Sequence, residues 1–592
     1  MSPTEEYQQR LKAREARANR QEKLHVRLGN IRLALFVSAA VLAWEAFHAH
    51  RLSVWWLAAP VTVFFGVAAY HSRVLRARDL ARRAVAFYRS GLARIEDRWA
   101  GTGQSGERFA EPHHVYSADL DLFGHGGLFE LLSTARTRMG EETLAQWLLG
   151  PSPLARIDER NAAVAELRGQ LELREDLAVL GEDAGVGVHP SELVRWAEAP
   201  NRIRWPLLRP LAISLAVLAV AGVGIWAYWG APTPLLAVVI VEGVLVYRLR
   251  KPMEEVLDGA EHALHDLDLL SAILARVEQQ PFQAPRLLAL QRELTSPQTG
   301  ASQAIAGLRT IGDLIDSRDN MFVRILDVPL LYSLQVALAA ERWRRRYGPS
   351  VEAWLEAIAE IEALLSLSAY SYEHPADPFP EFVSGAACLD GESLGHPLLP
   401  AAACVRNDVK VCGETRALLV SGSNMSGKST LLRAVGINVV LAMAGAPVRA
   451  RRMRLTPLNP GASIRINDSL QEGSSRFYAE ITRLRRLFDL AGGQPPLLFL
   501  LDELLQGTNS KDRRIGAEGV VRALLARGAI GLLTTHDLAL TEIGGALDGH
   551  VRNVHFEDEF SGGQISFDYR LRDGVVTKSN GLELMRSIGL DV

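Results

Sequence analysis

Ala417-Leu418-Leu419-Val420 passes through Ser421 into Gly422-Ser423-Asn424-Met425-Ser426-Gly427-Lys428-Ser429-Thr430, and a helical pattern starts at Leu431. An apolar strand, a loop framed by glycines that ends in Lys-Ser, and then a helix make a phosphate-binding loop in its proper context. Glycines let backbone N–H groups turn inward on phosphate oxygens, and the helix N-terminus adds partial positive charge. In such a loop Lys428 reaches the outer phosphates of ATP and the Ser429 hydroxyl ligates Mg2+. The C-terminal part is therefore expected to be an α/β, doubly wound P-loop domain.

Two further strand ends support this. Leu497-Leu498-Phe499-Leu500-Leu501 reads as a buried strand running into Asp502-Glu503. Asp502 is placed to hold the metal through water, and Glu503 to orient or deprotonate the attacking water. Ala529–Thr534 reads as another strand, ending in Thr535-His536-Asp537, which puts His536 at the same sheet edge as a γ-phosphate sensor. A lone histidine is usually structural. Three motifs at three strand ends, in doubly wound order, make a site.

The order and wording of these elements resemble the MutS-like mismatch-repair ATPases of the ABC superfamily. Gly422–Thr430 looks like that family's phosphate loop, with Ser423 and Ser426 where Pro and Gly are usual. Asp502-Glu503-Leu504-Leu505-Gln506-Gly507-Thr508-Asn509-Ser510 is similar to its Asp-Glu-Leu-Gly-Arg-Gly-Thr-Ser-Thr, with Leu505-Gln506 in place of Gly-Arg. Gly473-Ser474-Ser475-Arg476-Phe477-Tyr478-Ala479-Glu480 looks like the signature segment, and the resemblance implies that Ser475 reaches across a homodimer to the partner's ATP. Thr534-Thr535-His536 matches the histidine loop, and Asp573–Gly581 resembles the closing Lys-Ser-x-Gly segment.

The likeness covers about residues 115–592. Asp119-Leu120-Asp121-Leu122-Phe123, Thr137-Arg138-Met139-Gly140, Gln146-Trp147-Leu148 and Pro151 look like the opening of an all-α lever domain. His396-Pro397-Leu398-Leu399 and Asn407-Asp408-Val409 match the entry to the ATPase domain. The resemblance implies ATP, Mg2+, a homodimer and DNA. There are also departures. The mismatch-reading and connector domains are expected to be missing, and Phe109-Ala110-Glu111 reads as a chance match to the mismatch wedge. The adenine-stacking aromatic is replaced near Cys404.

Outward from the lever, composition points to lipid. Of 592 residues, 48% are apolar before glycine is counted, and the mean hydropathy is +0.05. The excess sits in Leu33–Ala49 with Val54–Tyr70, and in Leu211–Trp229 with Leu235–Tyr247. About 17 helical residues reach roughly 26 Å, nearly a hydrocarbon core. Trp55, Trp56, Trp226, Tyr228 and Trp229 cluster near the turns. Basic residues flank the hairpins at Arg10, Lys12, Arg14, Arg17, Arg20, Lys23 and Arg27, at Arg73, Arg76, Arg78, Arg82 and Arg83, and at Arg248, Arg250 and Lys251. The turns carry Arg51 alone. By the positive-inside rule this is a multi-pass protein of the cell (inner) membrane, with its ATPase and lever parts cytoplasmic. Glu45 and Glu242, one in each hairpin, read as interfacial or protonated side chains.

The expected division is a basic segment 1–30, transmembrane hairpin 31–71, lever 72–205, transmembrane hairpin 206–250, lever 251–378 and ATPase domain 379–592. A net charge of −3 gives no global attraction to nucleic acid, so any DNA contact must be local. Arg342-Trp343-Arg344-Arg345-Arg346-Tyr347 and Arg449, Arg451, Arg452 and Arg454 read as solvated faces. Cys388, Cys404 and Cys412 make no disulfide framework, which suits a reducing compartment. The expected function is a membrane-anchored MutS-like ATPase that hydrolyses ATP as a dimer and binds mismatched or branched DNA. The alternative is an ATP-driven membrane clamp or scaffold with no nucleic-acid role.

Overall fold

The computed structural model describes residues 1–592 except 50, 182–189, 204, 206, 264–266, 296–299, 466–475, 507, 548, 562–563 and 577–592. The chain packs as two units. One is Met1–Thr134, Glu142–Leu171 and Ala363–Val592; the other is Ala135–Glu141 and Glu172–Glu362. Most of residues 72–205 thus group with 379–592 rather than with the bulk of 251–378.

The first unit is built on a six-stranded sheet of order β10-β9-β4-β8-β7-β6. Its strands are β4 (Ala417–Ser421), β6 (Asn459–Ser463), β7 (Leu497–Leu501), β8 (Ile530–Thr535), β9 (Val551–Ser561) and β10 (Gln564–Asp573). All neighbours are parallel except β10, which runs antiparallel to β9. The three strands read from sequence are β4, β7 and β8, and every residue in them is buried. Unbroken apolar runs are what a parallel sheet covered on both faces requires. On one face Leu419, Phe499, Leu501 and Leu533 pack with Leu487 and Val521. The helix Lys428–Ala444 follows the loop, and Gly436 in it leaves room for Leu120, which a Cβ there would meet at 2.6 Å.

A smaller sheet of order β1-β5-β2-β3 joins β1 (Glu381–Phe382), β2 (Leu389–Leu394), β3 (Asn407–Val411) and β5 (Arg452–Leu455). The arginines near β5 are mostly paired: Arg451 with Glu392 at 2.8 Å, Arg452 with Glu381 at 3.0 Å and Arg454 with Glu381 at 3.4 Å. Arg449 is buried 3.8 Å from Asp377. One expectation is corrected here. Leu389 sits opposite Val411 on antiparallel β2 and β3, so Cys388 and Cys412 face each other and form a disulfide with Cα atoms 4.5 Å apart. Cys404 is free.

The N-terminal hairpin belongs to the same unit. Pro3–Phe47 starts with a Ser2–Glu5 capping box, and Ala58–Ile95 returns along it. His25 Nδ1 meets His71 Nε2 at 2.8 Å, and Tyr7 stacks on Tyr372 and packs edge-on to Tyr88. Toward the turn, large apolar side chains such as Phe36, Val41, Trp44, Phe65, Trp55 and Trp56 are exposed. Glu45 lies near that turn, 3.9 Å from Arg51. Residues 96–123, part of the stretch 72–205 expected to be an all-α lever, form turns and one 3-10 segment instead. There Phe109 packs against Phe123 and Phe129, so the wedge-like tripeptide serves a small aromatic core.

The second unit is helical among the described residues. Leu208–Trp229 packs against Thr233–Ala263, and Gly222 permits the approach: a Cβ there would lie 3.0 Å from the Leu235 Cα. Among the described residues three helices are long and apolar enough to cross a membrane: Pro3–Phe47, Val54–Ile95 and Leu208–Trp229. A pair bent by 75°, Val323–Leu330 with Tyr332–Glu373, would make a fourth. The fourth span expected at Leu235–Tyr247 does not meet that standard. Its apolar run ends at Arg248 and contains Glu242, short of the roughly 20 apolar residues a crossing needs. Glu242 is buried, and neither of its carboxylate oxygens has a hydrogen-bond partner among the described residues. In the basic run, the Trp343 indole donates to Ala304 O at 2.7 Å. Arg344 is buried 3.5 Å from Glu341. The aromatic part of that run therefore points inward.

Candidate nucleotide-binding site

The ends of β4, β7 and β8 bring the motifs together. A cavity of about 660 Å³ opens there, lined by Asn424–Met425 and Gly427–Leu431, Asp502 and Glu503. Gly422 packs tightly, since a Cβ there would stand 2.8 Å from Ser426 Oγ. Gly427 has φ +99°, a left-handed conformation that favours glycine.

Asp502 is the hub. The Ser429 hydroxyl donates to its Oδ2 at 2.5 Å. The Thr534 hydroxyl, from the end of β8, donates to its Oδ1 and accepts from the Glu503 backbone N–H at 3.0 Å. Glu503, with φ +50°, is held at a left-handed turn. His536 Nδ1 lies 3.3 Å from Glu503 Oε1. Gln506 donates to the other carboxylate oxygen and lies 3.5 Å from His536 Nδ1. The Lys428 ammonium donates to Gly422 O at 2.9 Å and Ser423 O at 2.7 Å. Burial pulls its pKa below the usual lysine range, against the raising effect of Glu503, Asp502 and Asp558.

Gly422, Ser423, Asn424, Met425, Ser426, Gly427, Lys428, Ser429, Thr430, Asp502, Glu503 and His536 thus gather at one sheet edge. Ser475, the expected partner-facing serine, lies outside the described residues, as does the end of the closing segment. The loop suits a triphosphate. Ser423 and Ser426 carry buried hydroxyls without a hydrogen-bond partner among the described residues, and the helix N-terminus at Lys428 faces the same space. No group of three or more His, Cys, Asp or Glu able to hold a metal occurs among the described residues. Mg2+ does not need one, because it binds through one or two protein oxygens plus substrate phosphates and waters. Ser429 and Asp502 are such a pair.

Three contributors escaped the sequence reading. Tyr569, from β10, lines the cavity, as Cys404 does, and packs beside Gly427. Asn407 holds it: its amide donates to Tyr569 O at 3.0 Å and its carbonyl accepts from Leu571 N at 2.8 Å. An aromatic side chain therefore lines the cavity, from β10 rather than from the segment around Cys404. The third is Asp119, which accepts from Ile464 N at 2.8 Å and Arg465 N at 2.6 Å and pairs with Arg483 at 2.5 Å. It anchors both ends of the stretch that leads into and out of the signature segment. Burial raises its pKa, against Arg483 and the two backbone N–H groups. The only signal for it in the sequence was its place in the Asp119–Phe123 motif.

Residues 418–591 match MutS domain V. The DNA mismatch repair protein MutS of Lactococcus lactis subsp. cremoris (strain MG1363) is 30% identical over 268 residues, which is 44% of this chain and 31% of that protein. The MutS protein of Lactococcus lactis subsp. lactis (strain IL1403) is likewise 30% identical over 268 residues. The match thus spans under a third of the length of these relatives. Residues 418–591 of this chain are thus similar to MutS domain V, and the likeness to the curated MutS proteins extends over 268 residues.

Proposed function

We propose that this chain is a membrane-anchored, MutS-like ATPase that binds ATP with Mg2+ at Gly422–Thr430, hydrolyses it as a homodimer and acts on DNA. The observation that carries this reading is the Asp502 hub, which ties Ser429 of the loop to Thr534 beside the Glu503–His536 pair. Lys428 and the loop N–H groups neutralise the phosphates, and Tyr569 walls the base. Mg2+, held by Ser429 and Asp502, supplies charge compensation on the phosphate oxygens. Glu503 orients and deprotonates the water while His536 and Gln506 fix its carboxylate. Ser475 of the partner subunit closes the γ-phosphate side. The exposed apolar helices support the bilayer anchor, and the relatives' name supports DNA.

The inward-facing Trp343 and Arg344 favour a second reading, a membrane clamp without a nucleic-acid role. Salt-dependent retention on duplex DNA separates the two, because phosphate contacts weaken steeply with salt. The ATP claim is tested by equilibrium binding. Lys428→Ala is expected to abolish nucleotide binding, and equal affinity in wild type and variant would refute the site.

A further inference from the structure

The stem of the N-terminal hairpin has a charge pattern that the ATPase reading does not use. The His25–His71 contact sets its register, which brings Lys23 level with Arg73, with Arg27 about one turn nearer the apolar run and Arg76 about one turn farther from it. Lys23 and Arg27 are four residues apart and Arg73 and Arg76 three apart, so each pair forms one ridge on its helix. All four are exposed, and none has an acidic partner among the described residues. Farther from the turn, other stem arginines are satisfied: Arg82 by Glu22 at 2.8 Å, Arg89 by Glu15 at 2.7 Å and Arg10 by Glu6 at 3.0 Å.

We propose that Lys23, Arg27, Arg73 and Arg76 form a collar that binds the phosphate groups of anionic lipids in the leaflet from which the hairpin enters. This rests on the membrane reading above. Position selects lipid over nucleic acid. Arg27 precedes the apolar run at Leu33 by six residues, and Arg73 and Arg76 follow its other arm at Tyr70 by three and six, roughly 9, 5 and 9 Å along the axes, with Lys23 one turn farther out on the ridge of Arg27. The headgroup zone extends only about 5–8 Å beyond the hydrocarbon, so these flexible side chains end among lipid phosphates. Exposed Leu33, Phe36, Val37, Phe65 and Tyr70 begin directly beyond them. Unpaired cations next to an apolar belt suit an anionic leaflet, which attracts such clusters electrostatically.

The test uses the full chain reconstituted in phosphatidylcholine–phosphatidylglycerol vesicles with spin-labelled lipids. The readout is the motionally restricted fraction of each lipid. Wild type is expected to favour phosphatidylglycerol about threefold near 0.1 M salt and to approach parity near 1 M, where the screening length is about 3 Å. Lys23→Gln/Arg27→Gln/Arg73→Gln/Arg76→Gln is expected at parity in both conditions, while Lys12→Gln/Arg17→Gln keeps the wild-type preference. Parity in wild type, or an unchanged preference in the fourfold variant, overturns the proposal. It is equally overturned if the fourfold variant keeps its lipid preference but loses salt-sensitive retention on duplex DNA, which makes the collar a nucleic-acid surface. Failure of the membrane reading itself shows separately, as release of the chain by alkaline carbonate before any lipid is measured.

Discussion

His396 shows how a single side chain couples this site to pH. It is buried at the wall of the cavity, and its Nδ1 accepts from Leu398 N at 3.2 Å. Burial, reinforced by Arg433, pushes its pKa down to about 4, against about 6.5 in an unfolded chain. Between those two values the unfolded state binds more protons, so stability is full above pH 6.5 and falls as pH drops toward 4. The loss is bounded at about 3 kcal/mol, from about 1.36 kcal/mol per pKa unit. Thermal melting of detergent-solubilised protein is expected to fall between pH 7 and 4.5, and His396→Asn to flatten that fall. Identical pH profiles would contradict the assignment. At this scale the sequence spoke clearly where chemistry forces residue type and spacing, as for Lys428, Ser429, Asp502 and Glu503. It was silent on Tyr569, and it marked Asn407 and Asp119 only as members of short motifs, without their places at the site. They lie more than a hundred residues along the chain from the residues they serve, so no local pattern shows what they hold.

Among the elements, the hairpin stem is fixed to the end of the long helix Tyr332–Glu373 by a buried pair. Arg94 donates to both Glu373 oxygens, at 2.7 and 2.6 Å, and the Tyr7 hydroxyl adds a third bond at 3.2 Å. Glu373 is 1% exposed and Arg94 11%, so solvent cannot replace a lost partner. Glu373→Ala is expected to cost about 3–5 kcal/mol, because it leaves a buried guanidinium uncompensated. Arg94→Met/Glu373→Leu should recover most of that loss in chemical denaturation. A single variant as stable as wild type would contradict it. Strands β4, β7 and β8 were legible to within a residue, since sheets covered on both faces demand unbroken apolar runs. Strands β2, β3, β9 and β10 were not, since β2, β3 and the start of β9 mix buried with part-exposed positions and Ser566–Asp573 of β10 has no buried residue. The all-α expectation for 72–205 fails at 96–123 because apolar residues there serve turns and a local aromatic cluster, not one helix face. The fourth span failed for want of length.

For the whole molecule, the proposal requires two copies. One loop leaves the γ-phosphate open on one side, and the resemblance assigns the missing donor to Ser475 of the partner subunit. Glu503→Gln with ATP is expected to shift the solubilised chain toward dimer in light scattering, and Ser475→Ala added to it to reverse the shift. Unchanged mass in all three states would contradict a composite site. Sequence periodicity gave the helical and α/β parts but not their grouping into two units, which depends on contacts between distant segments such as Leu120 against Gly436. The central claim is that this chain hydrolyses ATP with Glu503 as the group acting on water. Its most direct test is phosphate release by the full chain in a bilayer, compared with Glu503→Gln at matched nucleotide occupancy. The account predicts unchanged ATP binding and turnover slowed by at least roughly tenfold in the variant; equal turnover at equal occupancy would contradict it.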